Sequence, residues 1–143
     1  IRFDSDDIMM PEMVNEIMLF SDEYNVIRFR FITFNNDKKN QVTGRFIKYP
    51  HGVGLFKKSL YNELGGYLSW RCAADSELLK RGATLINEKL IDKPLFYRRI
   101  RNDSLTQNSE FGFNSAKRKD YKKLIGRHES IKIERIINEY TEY

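Results

Sequence analysis

Three carboxylates lie within four positions near the start of the chain, at Asp4, Asp6 and Asp7. They follow an apolar-flanked run, residues 1–3, that indicates the end of a strand. Like charges this close repel one another and raise each other's pKa, so such a cluster persists best beside a cation. Carboxylate oxygens suit hard cations such as Mg²⁺ or Mn²⁺, which are usually shared with substrate phosphates. The structural alternative is that Asp6 or Asp7 caps a helix that Pro11 begins.

A second pair of carboxylates, Asp75 and Glu77, starts a short helical pattern that Gly82 ends. Considered alone, Asp75 indicates a helix N-cap. Trp70, the one tryptophan of the chain, lies just upstream and could stack on a ligand or pack in the core. The core is the favoured interpretation, because large aromatic side chains are usually buried.

Basic side chains concentrate in residues 97–106, where Arg98, Arg99 and Arg101 follow a strand pattern. Guanidinium groups bind phosphate oxygens through charged, often bidentate hydrogen bonds. Considered alone, however, the cluster indicates an ordinary basic surface.

The composition is that of a globular protein: 143 residues, 41% hydrophobic and 31% charged, which is enough chain for one domain with a core. No apolar run approaches the roughly 20 residues of a membrane helix, and no signal peptide opens the chain. The single cysteine, Cys72, excludes an internal disulfide and is expected to be a small buried side chain. A reducing compartment such as the cytoplasm is consistent with this cysteine content.

The net charge of +5 attracts polyphosphates in general. The sequence has no paired Cys/His zinc spacing and no RNP-type aromatic motif, so nucleic acid is not the expected partner. A nucleotide diphosphate or an anionic membrane would use the same positive charge.

Hydrophobic periodicity predicts alternating helices and strands. The predicted helices cover residues 11–22, a short segment around 60–64 that Gly65 caps, the segment opened by Asp75, and a C-terminal pair from residue 115 and over 131–140. The predicted strands cover residues 26–34 and 42–49, which form a hairpin or neighbouring antiparallel strands. Residues 83–91 and 93–100 are predicted to form two more strands, or one strand and an extended segment. Pro94 is expected at a strand edge or start. The C-terminal pair either packs on the domain with a solvated basic face or contacts an anionic membrane.

Four segments occur in the order of the landmarks of family 2 glycosyltransferases, which have the GT-A fold, and the resemblance covers residues 3–106. Residues 3–12 (Phe-Asp-Ser-Asp-Asp-Ile-Met-Met-Pro-Glu) resemble the metal-binding DxD segment. Residues 54–67 resemble the strand, basic pair, short helix and Gly-Gly-aromatic turn of that family. Residues 74–81 (Ala-Asp-Ser-Glu-Leu-Leu-Lys-Arg) resemble its Glu-Asp-x-x-Leu-x-x-Arg segment, and residues 97–106 resemble its Tyr-Arg-x-His-x-x-Ser-x-(Ser/Thr) segment.

The resemblance implies a donor site at the acidic segment. Asp4 and Asp6 become the DxD pair that holds Mn²⁺ or Mg²⁺ on the diphosphate of a nucleotide sugar, with Asp6 the direct ligand and Asp7 beside it. The family's histidine is absent, and Arg101 lies near its place. A guanidinium cannot ligate a metal. Contact with the phosphate oxygens is therefore expected from the arginines of this segment, Arg98, Arg99 or Arg101.

The resemblance also implies a general base. Asp75 takes the position of the family's catalytic aspartate, which deprotonates the acceptor hydroxyl. Ala74 stands where glutamate is usual, which removes any auxiliary role of that glutamate but leaves the base in place. The residues expected on the substrate and acceptor side are Gly65, Gly66, Trp70 and Glu77.

The expected fold is therefore α/β: a GT-A, Rossmann-like mixed sheet flanked by helices, lacking its N-terminal nucleotide-binding half. Residues 1–143 form a single partial catalytic domain, with a GT-A-like core over 1–106 and a C-terminal helical extension over 107–143. The resemblance implies an inverting transferase that moves one sugar from a nucleotide donor, with UDP favoured, to a glycan or lipid-linked acceptor. Bacterial surface polysaccharide synthesis, in the cytoplasm or at the inner face of the plasma membrane, is the expected setting.

Two alternatives from other classes stay open. A non-catalytic basic module would bind nucleic acid or anionic lipid, with steep salt dependence and no need for metal. An inactive truncated remnant would instead fold by forming a homo-oligomer over an uncovered sheet edge.

Overall fold

The computed structural model describes residues 1–35, 42–47, 52–101 and 104–127. The chain divides into two compact units, one comprising Ile1–Lys57 with Asn87–Arg101 and the other Lys58–Ile86 with Asn102–Tyr143. This division cuts across the expected core over residues 1–106, because residues 58–86 group with the C-terminal part of the chain. The α/β class and the mixed sheet are confirmed.

The first unit is built on a five-stranded mixed sheet. Its strands are β1 (Ile8–Met9), β2 (Val26–Asn35), β3 (Val42–Ile47), β4 (Leu55–Phe56) and β5 (Glu88–Ile100). Their order is β1-β5-β2-β3, and β4 also pairs with β2. The β2 and β5 strands run parallel, and the other pairs are antiparallel, including the predicted pairing of β2 with β3.

Strand β2 forms because its side chains alternate between two environments. Ile27, Phe29 and Phe31 are buried in the core, as the sequence pattern predicts. The intervening Arg28 and Arg30 lie on the other face, where each forms an ion pair with a carboxylate of the β5 strand, Glu88 and Asp92 respectively.

Helix α1 (Met13–Met18) is shorter than the helix predicted over residues 11–22. Its Met13 and Ile17 are fully buried in the cluster that holds the β2 phenylalanines. The helical spacing of the apolar residues also predicts Val14 and Met18 on the buried stripe of this helix, but both are exposed. One turn of helix brings only the i, i+4 pair onto the sheet, so the wider stripe is wrong.

Residues 88–100 form one continuous strand, β5, where two strands, or one strand and an extended segment, were predicted over residues 83–91 and 93–100. Pro94, which was expected at a strand edge or start, lies inside β5, where its paired neighbour is Arg30 of β2, whereas β1 pairs with β5 at Phe96 and Tyr97. Along β2, Phe29 pairs with Ile91 and Arg30 pairs with Pro94, so Asp92 and Lys93 bulge out of register. A bulge tolerates proline because the ladder is already interrupted there.

The second unit contains helices α2 (Lys58–Glu63), α3 (Ala74–Arg81) and α4 (Ala116–Arg127). Gly65 has φ +73°, which confirms the predicted left-handed turn after α2, and Gly82 ends α3 as predicted. Ser115 begins α4, since its Oγ accepts a hydrogen bond from the Arg118 amide at 3.2 Å.

Buried side chains of this unit include Leu60, Leu64, Leu78 and Cys72. The expected burial of Cys72 is confirmed, and that burial raises the pKa of its thiol above the usual value. A thiol of this kind stays protonated and unreactive at neutral pH.

The end of the strand predicted over residues 42–49 and the whole helix predicted over residues 131–140 lie outside the described residues. Within the described ranges, no helix is both long enough and apolar enough to cross a membrane.

Candidate functional site

The acidic segment leads directly into the edge strand β1. Upstream of it, Arg2 and Gly54 form a single antiparallel bridge, with the Arg2 amide 2.9 Å from the Gly54 carbonyl oxygen. This bridge is the whole of the strand end predicted over residues 1–3. The chain then turns, and the Asp7 amide donates to the Asp4 carbonyl at 3.2 Å. The turn holds the carboxylates of the segment close together, next to Ile8 of β1.

Strand pairing brings the acidic segment to the arginine-rich end of β5. Ile8 pairs with Tyr97, so the residues just before β1 lie beside those just after Tyr97. The Arg99 amide donates to Asp7 Oδ1 at 2.9 Å, and Arg99 Nε donates to the Asp6 carbonyl at 2.8 Å. The strand pairing thereby brings Arg99 into contact with two residues that lie 92 and 93 positions before it in the sequence.

Arg101 also contacts the acidic segment. We call this cluster the acidic–arginine site, and it comprises Asp4, Asp6, Asp7, Arg98, Arg99 and Arg101. Arg101 Nη2 lies 3.3 Å from Asp6 Oδ2. Both side chains are partly exposed, so the pair is weak in water and a ligand can replace it at small cost.

The other two guanidinium groups lie against aromatic rings. The Arg98 guanidinium carbon is 5.6 Å from the centre of the Phe31 ring, and that of Arg99 is 4.9 Å from the Phe34 ring. Cation–π contacts of this kind restrict the directions in which long side chains can point. The arginines of this cluster are therefore partly ordered in the structure itself.

Asp7 is the most perturbed acid of the site. Burial raises the pKa of its carboxyl from 3.8 to about 6, the hydrogen bond from the Arg99 amide opposes this rise, and repulsion from Asp4 and Asp6 adds to it. Crowded carboxylates near a basic cluster are typical of functional sites, since a fold gains nothing from their repulsion. A cation bound here would relieve it.

The helix-cap alternative for the acidic segment is wrong. Helix α1 begins at Met13, and its N-cap is Glu12, which makes no side-chain capping bond. Asp6 and Asp7 lie several residues earlier and contact the end of β5 instead.

The donor set fits a divalent cation shared with a ligand better than a fully protein-bound one. Asp4 is exposed and Asp6 partly so, while the Asp7 Oδ1 atom already accepts a hydrogen bond. In the part of the chain that the structure describes, no group of three histidine, cysteine or acidic side chains is placed to hold a metal. Mg²⁺ and Mn²⁺ suit such a site, because they bind through one or two carboxylates and complete their shell with phosphate and water.

The second unit contains the expected general base. Asp75 lies in the first turn of α3, and the N-cap of that helix is Ala73, with φ +62° and no side-chain capping bond. The cap interpretation of Asp75 is therefore wrong. Its position in the first turn places the carboxylate near the positive end of the helix dipole, which stabilises a negative charge.

Glu77 is buried and paired with Arg81. Its two carboxylate oxygens accept hydrogen bonds from Arg81 Nε at 2.7 Å and Nη2 at 2.9 Å, and both side chains are at most 2% exposed. Arg81 also donates to the carbonyl of Leu64 and, at 2.7 Å, to that of Gly66. Glu77 is thus better placed to hold the turn at residues 64–66 than to contact an acceptor.

Gly66 is needed in this turn for two reasons. Its φ is +78°, a conformation that other residues rarely adopt, and a Cβ at this position would lie 3.0 Å from Tyr61 Oη. The acceptor contact predicted for Gly65 and Gly66 stays a prediction.

Trp70 stacks on Tyr121 of α4, with the ring centres 4.7 Å apart and the planes 19° from parallel. One face of the indole is thereby covered by protein, although Trp70 is partly buried and is not one of the fully buried core residues that were expected to include it. A sugar could stack on Trp70 only on the part of the indole that Tyr121 does not cover.

Sequence reasoning missed Arg81, although the i, i+4 spacing from Glu77 was a usable signal. The expected donor-site residues all belong to the first unit: Asp4, Asp6, Asp7 and the three arginines. The expected base and acceptor residues belong to the second: Asp75, Gly65, Gly66, Trp70 and Glu77.

No protein-family model matches this chain, and no curated protein matches it.

Proposed function

We propose that this protein is a metal-dependent, inverting glycosyltransferase of the GT-A type, or the C-terminal part of one. The observation that carries the proposal is the acidic–arginine site. Two expected parts of a donor site, which lie more than 90 positions apart, are in direct contact through Arg99, Asp6 and Asp7. The combination of exposed carboxylates with guanidinium groups suits a cation and a diphosphate together.

In this proposal, Asp4 and Asp6 hold Mn²⁺ or Mg²⁺, and the arginines bind the donor diphosphate. A bound cation would neutralise the negative charge that develops on the departing diphosphate. Arg101 has the most exposed contact with the acidic segment and exchanges Asp6 for a phosphate oxygen when the donor binds.

Asp75 serves as the general base. Its carboxylate accepts the proton of an acceptor hydroxyl, whose oxygen bonds to the anomeric carbon while the bond from that carbon to the diphosphate breaks. Direct displacement inverts the anomeric configuration. Arg81 and Glu77 act as positioning residues, because their contacts fix the carbonyls of Leu64 and Gly66 in the adjoining turn.

The test is a thermal-shift titration of the full chain with UDP, GDP and CMP, each with and without Mn²⁺. A ligand that binds only the folded state raises the melting temperature. We expect a metal-dependent shift with one nucleotide, which Asp6→Ala abolishes and Asp22→Ala, at an exposed aspartate outside the acidic–arginine site, retains. Equal shifts in Asp6→Ala and in the parent chain would reject the metal site.

The catalytic assignment is tested on the same variants plus Asp75→Asn. This variant is expected to keep the metal-dependent nucleotide shift and to lose transfer of sugar from the matching donor. Asp120→Asn, on the exposed face of α4, is the control that keeps both. Transfer at the parental rate by Asp75→Asn would refute the assignment of the base.

A second candidate function, contact with an anionic lipid surface, is favoured by the composition of α4. Six of its twelve residues are lysine or arginine and one is aspartate. Binding to anionic vesicles that weakens steeply with salt and needs no metal, without any nucleotide shift, would favour this candidate over the transferase.

A further inference from the structure

The loop before α4 forms an open pocket that the proposed donor and base residues do not line. It has a volume of about 420 Å³ and is lined by residues 106–109 and 112–115, all of them in the second unit. This volume falls within the range of about 300–1,000 Å³ that is typical of small-ligand sites. We call it the loop pocket.

The lining of the loop pocket is polar and uncharged, in a chain of which 31% is charged. The side chains that bring an amide or hydroxyl group to the lining are Thr106, Gln107, Asn108, Ser109, Asn114 and Ser115. Such groups both donate and accept hydrogen bonds, so they match a ligand that carries many hydroxyl groups and no charge.

Backbone hydrogen bonds across the loop pocket hold its shape. The Gly112 amide donates to the Asn108 carbonyl at 2.7 Å, and the Phe113 amide donates to the Thr106 carbonyl at 3.1 Å. Only glycine fits at position 112, because a Cβ there would lie 2.2 Å from the Asn108 carbonyl oxygen. Asn108 Oδ1 further accepts from the amides of Glu110 and Phe111. Because the loop is already held by these bonds, little ordering entropy is lost when a ligand binds.

Phe113 supplies an aromatic surface at the loop pocket. It is 51% exposed, although its ring is large and apolar. The Arg118 guanidinium carbon lies 4.9 Å from the ring centre, and Arg118 is itself buried and donates from Nε to the Phe111 carbonyl at 2.8 Å. The ring is therefore held in place from one side while half of the residue stays accessible to a ligand.

An anion is a poor match for the loop pocket, despite the nearby helix terminus. The Arg118 amide at the start of α4 is already capped by Ser115 Oγ, and the Arg118 Nε–H is committed to the Phe111 carbonyl. We propose that the loop pocket binds a neutral saccharide, with one sugar face on the Phe113 ring and its hydroxyl groups on the amide and hydroxyl side chains.

The saccharide site is argued from the pocket alone, and its role as the acceptor subsite rests on the proposed function. The probes are the methyl glycosides of glucose, galactose, mannose and N-acetylglucosamine, without nucleotide or metal. Binding is followed by amide chemical shifts of the labelled full chain. We expect one or more of them to shift residues of the loop pocket selectively, with millimolar affinity.

Phe113→Ala is expected to weaken binding about tenfold, equivalent to about 1.4 kcal/mol. Leu105→Ala is the matched control, since Leu105 is 50% exposed, lies in the same loop and does not line the pocket. Gln107→Ala is a second test that leaves the aromatic surface intact, and it is expected to weaken binding severalfold. The amide spectrum of each variant reports whether it is folded.

Shifts confined to the loop pocket, lost in Phe113→Ala and kept in Leu105→Ala, would support the proposal. No selective shift with any of the glycosides, or equal affinity in Phe113→Ala and Leu105→Ala, would overturn it, as would a response to inorganic phosphate alone. Because these probes contain no donor, a failed nucleotide titration leaves this result standing, and failure here leaves the donor site standing.

Discussion

Replacing Glu77 by glutamine tests whether the buried ion pair of the second unit stabilises the folded protein. Glu77→Gln keeps the shape of the side chain and one hydrogen-bond acceptor, so it creates no cavity. It removes the negative charge that neutralises Arg81, whose side chain is 1% exposed. The variant therefore isolates the cost of an unpaired buried charge.

The expected loss of unfolding free energy is about 3–5 kcal/mol, the usual cost of removing one partner from a buried pair. The natural control is Asp120→Asn, which breaks the Asp120–Lys123 pair on α4. Both of those side chains are about two-thirds exposed, and a pair of that kind contributes less than about 1 kcal/mol.

A double variant sharpens the test. Arg81→Met strands the Glu77 charge and also leaves the carbonyls of Leu64 and Gly66 without a donor. Adding Glu77→Gln removes the stranded charge, so the double variant should be more stable than Arg81→Met alone. It should remain less stable than the parent chain by about 1–3 kcal/mol for each buried carbonyl without a donor.

Urea unfolding, monitored by Trp70 fluorescence, measures these differences. Trp70 is the single tryptophan and stacks on Tyr121 within the same unit as the ion pair. The reasoning would be refuted if Glu77→Gln cost no more than Asp120→Asn. Simple additivity of the two single substitutions would equally show that the charges do not interact.

Two further predictions concern Asp7 and the glycines. Burial raises the pKa of Asp7 from 3.8, its ordinary value in an unfolded chain, to about 6 in the folded protein. The folded state therefore binds this proton more tightly than the unfolded state, and the protein loses stability as the pH rises from about 4 to about 6. Asp7→Asn, which keeps an acceptor for the Arg99 amide, should therefore stabilise the protein by about 1 kcal/mol at about pH 8, after allowance for its partial exposure, and by little at about pH 4. Urea unfolding at both pH values measures this, with the exposed Asp22→Asn as control, and an equal gain at both would contradict it. Gly112→Ala should destabilise the second unit, because its Cβ would meet the Asn108 carbonyl. Gly126→Ala should stabilise α4 by about 0.5–1 kcal/mol, since no atom of the described residues lies within 4 Å of the new Cβ. Melting temperatures that move in the same direction for both glycine variants would argue against this packing.

The local sequence pattern was sufficient to predict elements whose position depends on which of their side chains face the core. The alternation along β2 predicted its bounds to within one residue, and the glycines at positions 65 and 82 marked the ends of α2 and α3. These features depend on contacts within a few residues, and the sequence displays them directly. The acidic segment and the three arginines were identified for the same reason, as local concentrations of one charge.

Pairing between distant segments was decided by the tertiary structure. No local pattern indicates that β1 pairs with β5. This pairing brings the Arg99 amide within hydrogen-bond distance of Asp7, and only this contact suggests that the acidic segment and the arginines bind one ligand together. The bulge that accommodates Pro94 likewise depends on the register of β2 against β5.

Burial was the other property that only the fold could assign. Glu77 and Asp75 are two positions apart and chemically alike, but one is enclosed with Arg81 and the other lies partly exposed in the first turn of α3. The loop pocket has no periodicity and no charged motif, and it exists because backbone hydrogen bonds close the chain on itself around Gly112. The sequence alone thus determined which chemical groups are present, while the three-dimensional pairing and burial of those groups decided which of them can act together.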